Sequence, residues 1–129
     1  MIRAHRDAVK ASLEADLPGS VFSSYSAVKD AKRYAVVFIG RTSKPQLRYT
    51  SGQVRDVFTV TVHSVGVDED SALWVQERVD QLTGRQLVVA GRRLQKVRYV
   101  TGRPPQLDDD STAPLWFTIS QFDIVSDPA

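Results

Sequence analysis

The residues whose side chains could take part in chemistry begin with two histidines. The 129-residue chain contains His5 and His63 and no cysteine, which excludes disulfides, thiolate metal sites and cysteine nucleophiles. His63 falls on the polar face of a strand pattern, with threonines as its neighbours on that face. A catalytic base needs a nucleophile and an orienting partner within hydrogen-bond reach, and the sequence nominates neither. We therefore expect His63 to be a solvent-exposed strand residue and the protein not to be an enzyme.

Three consecutive aspartates, Asp108, Asp109 and Asp110, form the second group. Carboxylates bind hard cations, but this run lacks the alternating acids, the glycine and the closing glutamate of a calcium loop. Consecutive side chains on an extended chain also point to opposite sides. Pro104 and Pro105, just before the run, favour an extended, semi-rigid path. We expect a stiff arm with an acidic tip that contacts another protein, and no metal or cofactor.

Basic residues are concentrated in one stretch of the chain, although the net charge is only +2. No acidic residue lies between Asp80 and Asp108, and six basic residues do: Arg85, Arg92, Arg93, Lys96, Arg98 and Arg103. Nucleic-acid surfaces usually combine such charge with several stacking aromatic rings, and Tyr99 is the single aromatic residue of the stretch. Blocks of opposite charge on one small domain suggest contact with a complementary protein surface. The plainer alternative is a hairpin with a basic solvent-facing side.

The first half of the chain predicts a helix followed by strands. The length fits a single domain over residues 1–129. Apolar residues at helical spacing predict an amphipathic helix over 2–17. Residues 21–26 form a candidate short strand, and 33–41 a firmer one that is rich in β-branched and aromatic residues. Residues 42–53 contain proline, glycine and small polar residues and predict a projecting loop. No apolar run approaches the roughly 20 residues of a membrane helix.

The middle of the chain gives the two firmest elements. Apolar and polar residues alternate over 54–66, which predicts a half-buried strand. Asp56 interrupts the apolar face near the start of this strand, where we expect it to reach water. Residues 68–84 predict a helix, with Asp68 as a suitable N-cap. Trp74 lies off the apolar stripe of that helix, so we expect a loop or a neighbouring subunit to cover it.

The last third predicts strands and a second projecting loop. Residues 85–100 are interpreted as two strands joined by a tight turn around Ala90-Gly91-Arg92. Residues 101–113 are interpreted as the loop, and 114–125 as a final strand. The predicted order is helix–strands–helix–strands. Strands grouped in blocks favour an α+β fold with a mostly antiparallel sheet and both helices packed on one face.

This layout resembles a family of bacteriophage proteins. The matching segments are, in order, "DLPGSVF" after the first helix, "RYAVVFIG", "VFTVTVHSVGVDEDSALWVQERVDQLTGRQL", the proline-and-aspartate loop, and "LWFTISQFDIV". Together they are similar to the tail terminator (tail completion) proteins of long-tailed phages, particularly those of actinobacteria. The resemblance covers residues 2–125, and 58–87 is its most specific part. The family has no invariant catalytic motif.

The resemblance implies a structural virion protein of a siphovirus. Such a protein is expected to be a homo-oligomer, a hexameric ring that caps the tail tube, ends tube polymerisation and joins the tail to the head connector. Its expected partners are the major tail tube protein, a head–tail connector or stopper protein, and the genomic DNA that passes through the ring lumen. No membrane, cofactor or reaction is expected. The expected location is the neck of the virion, at the top of the tail, after assembly in the host cytoplasm.

Surface chemistry nominates the residues of the ring interface. The candidates are the off-stripe residues of the second helix, the basic residues and the acidic tip: Leu73, Trp74, Arg85, Arg92, Arg93, Lys96, Arg103, Asp108, Asp109 and Asp110. The basic residues would meet acidic patches on a neighbour or line the DNA channel. Two alternatives remain open, namely another head–tail neck protein (a stopper or adaptor) and a small nucleic-acid-binding module that uses the basic hairpin.

Overall fold

The computed structural model of the chain describes residues 2–24, 32–41, 55–108 and 115–128. The predicted loop 42–53 and residues Asp109 and Asp110 lie outside the described residues. The elements, in chain order, are α1 (Ile2–Glu14), β1 (Val21–Phe22), β2 (Arg33–Arg41), β3 (Asp56–Gly66), α2 (Glu69–Asp80), β4 (Arg92–Leu94), β5 (Arg98–Asp108) and β6 (Leu115–Pro128).

One six-stranded sheet organises the described chain. Its strand order is β1-β2-β3-β6-β4, and β5 also pairs with β6, on the side away from β3. The predicted α+β class is confirmed. The sheet is mixed, because β1 runs parallel to β2 whereas the other pairings are antiparallel.

The main core lies between the sheet and the two helices. Alternate residues of β3 and β6 are fully buried on the helix-covered side, and both helices contribute to the same cluster. Its central members are Phe58, Val60 and Phe122 from the strands, with Leu13 from α1 and Val79 from α2. Burial of apolar area at roughly 25 cal/mol per Å² makes such a cluster the main stabilising contribution.

The helix α2 confirms its predicted N-cap and apolar stripe, although it ends at Asp80 and not at residue 84. The Asp68 carboxylate accepts a hydrogen bond from the Ser71 backbone N–H at 2.7 Å, as an N-cap does. The predicted stripe of Ala72, Val75, Val79 and Leu82 is fully buried. At the strand end before the helix, a Cβ on Gly66 would lie 2.5 Å from the Ala72 backbone nitrogen. The first turn of α2 therefore packs directly on the end of β3.

The predicted hairpin over 85–100 is wrong. A turn does occur there, closed by the Arg92 N–H donating to the Val89 carbonyl at 3.1 Å, with Gly91 at φ 76°. The residues before that turn form no strand, and the strands after it, β4 and β5, both pair with β6 instead. Leu87 and Val89 are nevertheless buried, so irregular chain fills the core at this point.

The predicted loop 101–113 is wrong over its first part. Residues 101–108 continue β5, which stays paired with β6 as far as Asp108 opposite Leu115. The pairing is irregular between Arg103 and Gln106, where Pro104 and Pro105 lack the N–H that a strand ladder uses. An edge strand tolerates this loss because one of its sides has no partner strand.

The final strand is longer than predicted. β6 runs to Pro128, and Ser126 is fully buried. The last residues are held on both sides, because Ser126 pairs with Asp56 of β3 and with Leu94 of β4.

Candidate interaction surfaces

Trp74 lies between two arginines. The indole is partly buried and packs against the main core. The guanidinium carbon of Arg33, from the start of β2, lies 3.5 Å from the ring centroid, and that of Arg78, one turn along α2, lies at the same distance. Two such groups cannot share one face of the ring without overlapping, so they lie on opposite faces. Trp74, which we expected a loop or a subunit to cover, is covered by two cations of its own chain. We call this group the arginine–tryptophan stack.

The stack carries two positive charges without local compensation. Among the described residues, neither Arg33 nor Arg78 has a carboxylate within ion-pair distance. Arg78 uses one donor on the Trp74 carbonyl at 3.3 Å. The indole N–H of Trp74 has no acceptor in the described chain and is not among its buried unsatisfied atoms, so it reaches solvent. The stack thus presents hydrogen-bond donors and positive charge, which is the chemistry that binds carboxylates and phosphates.

A second pair of arginines is compensated inside the protein. Asp56 is buried, contrary to the expected water contact, with Arg41 at 3.3 Å on one side and Arg92 at 3.5 Å on the other. Arg92 also donates to the Ser126 hydroxyl at 2.9 Å and to the Ser126 carbonyl at 2.7 Å. The aspartate tolerates burial because two cations neutralise it.

Arg85 is likewise bonded within its own subunit. Its guanidinium donates to the Ser12 carbonyl at 2.9 Å and to the Ser12 hydroxyl at 3.0 Å, and it forms an ion pair with Asp16. This arginine fastens the segment after α2 to the end of α1. Arg85 and Arg92 therefore have structural roles in the subunit, and their predicted role at a ring interface stays a prediction.

His5 is a buried polar residue whose burial was not predicted from the sequence. Its Nε2 lies 2.8 Å from the Ser126 hydroxyl, and its ring lies 4.2 Å from the Phe58 ring. His5 is fully buried on the same helical stripe as Val9 and Leu13. The spacing of four residues to Val9 is the signal that could have placed it on the buried face.

The other candidate basic residues lie along an exposed edge. Strand β5 is solvent-exposed over most of its length, and Arg103 is exposed there, as are Arg93 on β4 and Lys96 between the two strands. Tyr99 and Val100 of β5 are exposed by 46% and 49%. We call this strand, Arg98–Asp108, the β5 edge. A strand edge that exposes both apolar and basic side chains is suited to contact another chain.

The sheet face away from the helices carries an aromatic group and a shallow groove. His63 is half-buried, contrary to the exposed position expected, because its ring stacks on Phe117 at 6.0 Å and lies 5.0 Å from the Phe38 ring. This burial lowers the pKa of His63. The groove holds about 160 Å³, and its lining residues are Thr61, Thr101, Gly102, Arg103, Ile119 and Gln121. One of these six is ionisable, so the groove lacks paired titratable groups for acid–base work.

The remaining predicted site residues are placed as follows. Leu73 is half-buried on α2. Asp108 ends β5 and is exposed. Burial and, to a smaller extent, the Asp108 carboxylate raise the pKa of Tyr34. Within the described ranges, no three histidine or acidic side chains are grouped as a metal site would require.

Comparison with known proteins gives a likeness of fold. No protein-family model and no curated protein sequence matches the chain. A chain in the solved structure of the virion of a native gene transfer agent particle is similar over 95% of this chain and 93% of its own length, with a TM-score of 0.67 and 14% identity. A second solved chain is similar over 98% of this chain and 93% of its own length, with a TM-score of 0.64 and 14% identity. In the described part of the chain, no helix is long and apolar enough to cross a membrane.

Proposed function

We propose that the chain is a structural virion protein, the subunit of a ring that caps the tail tube of a phage-like particle. The observation that carries this proposal is the likeness of fold, end to end, to a chain of a gene transfer agent virion. A likeness that covers almost all of both chains leaves little of this chain for an added function. The sequence pattern of tail terminators supports the more specific role.

The distribution of exposed side chains supports ring formation. A ring closes through heterologous contacts, in which one side of a subunit meets a different side of the next. The two edges of this sheet differ strongly. The β5 edge presents basic and apolar residues, whereas the opposite side ends in the two-residue strand β1 next to β2. Six copies, as in the resembling family, would place a β5 edge at each of six equivalent contacts.

The partners follow from the proposed position. One face of the ring would bind the major tail tube protein and the other a head–tail connector or stopper, and genomic DNA would pass through the lumen. Two unlike faces let a terminator bind a tube end without accepting a further layer of tube protein. The exposed basic residues Arg93, Lys96 and Arg103 are the candidates for contact with DNA or with acidic protein surfaces. No catalytic step belongs to this role.

A tube-growth assay tests the proposal. Tail tube protein of the same virus is allowed to polymerise with and without this protein, and tube lengths are measured by negative-stain microscopy. We expect amounts far below equimolar to stop elongation, and Arg103→Glu on the β5 edge to weaken this effect. Arg3→Glu, on the exposed side of α1, is the matched control and should cap normally. Unchanged tube growth at equimolar wild-type protein would rule out the terminator role.

Two other functions have distinct signatures in the same preparation. Another neck protein would form rings that bind the head connector without stopping tube growth. A nucleic-acid-binding module, which the exposed basic residues favour, would bind duplex DNA with an affinity that falls steeply with salt concentration. Assays of tube growth, connector binding and DNA binding therefore distinguish the three candidate functions.

A further inference from the structure

We propose that the first half of the β5 edge pairs, as an antiparallel strand, with the end of β2 in a second copy of this chain. Backbone hydrogen bonds would then join neighbouring subunits into one continuous sheet. The inference rests on the proposed ring and adds to it the kind of contact that holds the subunits together. It is carried by the register of the sheet, which leaves two matching lengths of strand unpaired at its two edges.

At one edge of the sheet, β1 covers only the start of β2. Its two residues pair with Ala35 and Val36, and within the described ranges no strand lies beside the outer side of 37–41. The Ala35 N–H donates to the Ser20 carbonyl at 2.8 Å, so the odd-numbered residues of β2 direct their backbone groups outward. Three such residues lie beyond β1, namely Val37, Ile39 and Arg41. We call Val37–Arg41 the β2 edge.

At the opposite edge, β5 pairs with β6 alone among the described strands. The Gln95 N–H donates to the Val125 carbonyl at 2.9 Å, so the odd-numbered residues of β6 direct their backbone groups away from β3. Thr101 and Arg103 lie opposite odd-numbered residues of β6 and use their backbone groups on that strand. Gly102, between them, therefore directs its N–H and its carbonyl outward.

The two unpaired lengths lie at the same level of the sheet. Through β3 and β6, the register places Ile39 in one row with Tyr99, and Val37 in one row with Gly102. The β2 edge and the β5 edge also run in opposite directions, because all three pairings between them are antiparallel. Rotation about an axis along the strands keeps these levels and directions in every copy. The two edges of neighbouring copies therefore meet as antiparallel strands.

The blocked parts of the two edges coincide as well. Pro104 and Pro105 lie between Arg103, which is opposite Ile119, and Gln106, which is opposite Phe117. This is the level of Ala35, where β1 already covers β2. Proline has no N–H to donate to a further strand. The edge of β5 thus accepts a partner before the prolines and ends the pairing where β1 closes the edge of β2.

Side chains on the helix side of the two edges support the same pairing. The exposed ring of Tyr99 packs edge-on against the buried Phe122, with 5.8 Å between the ring centroids. Ile39 lies in the same row and packs, half-buried, against the main core. Pairing between copies places Ile39 of one beside Tyr99 of the next on one face of the sheet. Aromatic and β-branched side chains opposite each other stabilise antiparallel strands.

The absence of cysteine from the chain permits a direct test by disulfide cross-linking. Gly40 and Arg98 lie in one row and are both exposed. Within a subunit they are three strand spacings apart, about 14 Å, which is beyond the reach of a disulfide. Between paired copies their Cα atoms would be about 4.5 Å apart. We expect Gly40→Cys with Arg98→Cys, oxidised on capped tube ends, to give covalent oligomers up to the hexamer on a non-reducing gel.

Gly40→Cys with Arg103→Cys is the matched control. Arg103 is exposed on the same strand but lies in the row of Val36, four residues and about 13 Å along the strand from the level of Gly40. We expect this pair to give no oligomers. Equal cross-linking of the two pairs, or cross-linking of the control pair alone, would overturn the inference.

A proline at the outward position tests the backbone hydrogen bonds themselves. Gly102→Pro and Gly102→Ala share a Cβ that must displace the Tyr99 hydroxyl, but only the proline variant lacks the outward N–H. An edge strand tolerates such a proline, so we expect both variants to fold, as measured by thermal unfolding. Gly102→Pro should need at least about tenfold more protein than Gly102→Ala to cap tubes. Equal capping by the two folded variants would overturn the inference.

The outcomes separate this inference from the proposed function. Tubes that are capped by the Gly40→Cys and Arg98→Cys variant without cross-links would overturn the strand pairing and leave the terminator role standing. Cross-links in a protein that does not stop tube growth would leave the pairing standing and rule out that role. If Gly102→Pro weakens capping while the cross-link is absent, the β5 edge binds a strand of the tail tube protein, and the assignment to a second copy is wrong.

Discussion

Two pairs of arginines in this protein surround one residue each, with opposite consequences. Arg41 and Arg92 surround the buried Asp56, where three charges and the Ser126 hydroxyl satisfy one another. Arg33 and Arg78 surround Trp74, which attracts cations through its ring but cannot neutralise them. The first arrangement is closed and stabilises the fold. The second leaves positive charge at the surface. Arginine content alone would not distinguish the two.

The largest loss of stability is expected when the Asp56 carboxylate is removed from between its two arginines. Asp56→Ala would leave Arg92, whose side chain is 11% exposed, buried without its carboxylate. Removing one partner of a buried ion pair costs about 3–5 kcal/mol, and we expect a loss near 3 kcal/mol because Arg41 is partly solvated. Urea denaturation measures it. Asp7→Ala removes an exposed pair with Arg6 and should change stability by less than about 1 kcal/mol. Equal losses in the two variants would contradict the closed arrangement.

A smaller loss of stability is expected when the Trp74 ring, on which both arginines pack, is removed. Trp74→Leu keeps part of the apolar contact with the core and abolishes both cation–π contacts. Each such contact contributes about 0.5–1 kcal/mol at a surface, so we expect a loss of about 1–2 kcal/mol in the free energy of unfolding. Leu73→Ala, at the neighbouring half-buried position, serves as the comparison in the same denaturation series. No change for Trp74→Leu would mean that the two arginines are not held by the indole.

The arginines of the stack should contribute still less to stability. Arg33→Gln with Arg78→Gln removes two cation–π contacts and also the repulsion between the two charges, and these effects oppose each other. We expect a change below about 1 kcal/mol in the free energy of unfolding, measured by thermal and urea unfolding. A loss as large as that of Asp56→Ala would contradict the opposed effects expected for these two arginines.

The smallest effect concerns pH and His63. Burial lowers the pKa of His63 below its ordinary 6.5, so the unfolded chain binds the proton more readily than the folded protein. The contribution of this residue is therefore present above pH 6.5 and is lost as the pH falls below that value. Between about pH 7 and pH 5, the wild type should lose more stability than His63→Gln. Parallel stability curves for the two proteins would contradict the half-buried position of this ring.

Elements that follow one regular local pattern of residues could be predicted from the sequence alone. The bounds of β2 were predicted as found, 33–41, because β-branched and aromatic residues run without interruption to Gly40. The helix α2 was predicted with its cap because Asp68 and the apolar stripe act within a few residues of one another. In these segments the local preference and the tertiary fold agree.

Pairing across the sheet could not be predicted from local pattern. Leu87 and Val89 alternate with the exposed Val88 like a strand, but β6 is long enough to pair with β4 and β5 in turn, so they have no strand to join. Pro104 and Pro105 indicate a loop, and an edge strand accommodates them. His5 and Asp56 interrupt apolar faces, and the residues that allow their burial, such as Ser126, lie far along the chain.

Part of the arginine–tryptophan stack could be predicted from the sequence. The position of Trp74 off the apolar stripe indicated that something must cover it. Arg78 follows at i+4 on the same helix, which places the two side chains together. Arg33 comes from β2, and no local spacing connects it to Trp74. A long-range pairing therefore completes the site.

Electron microscopy of capped tube ends tests whether these subunits close a ring on the tail tube. Tail tubes of the same virus are mixed with the protein, and the tube ends are averaged. We expect a ring of six copies at one end of each tube, with the β5 edge of each subunit against the β2 edge of the next. Bare tube ends, or single subunits bound without contact between copies, would contradict it.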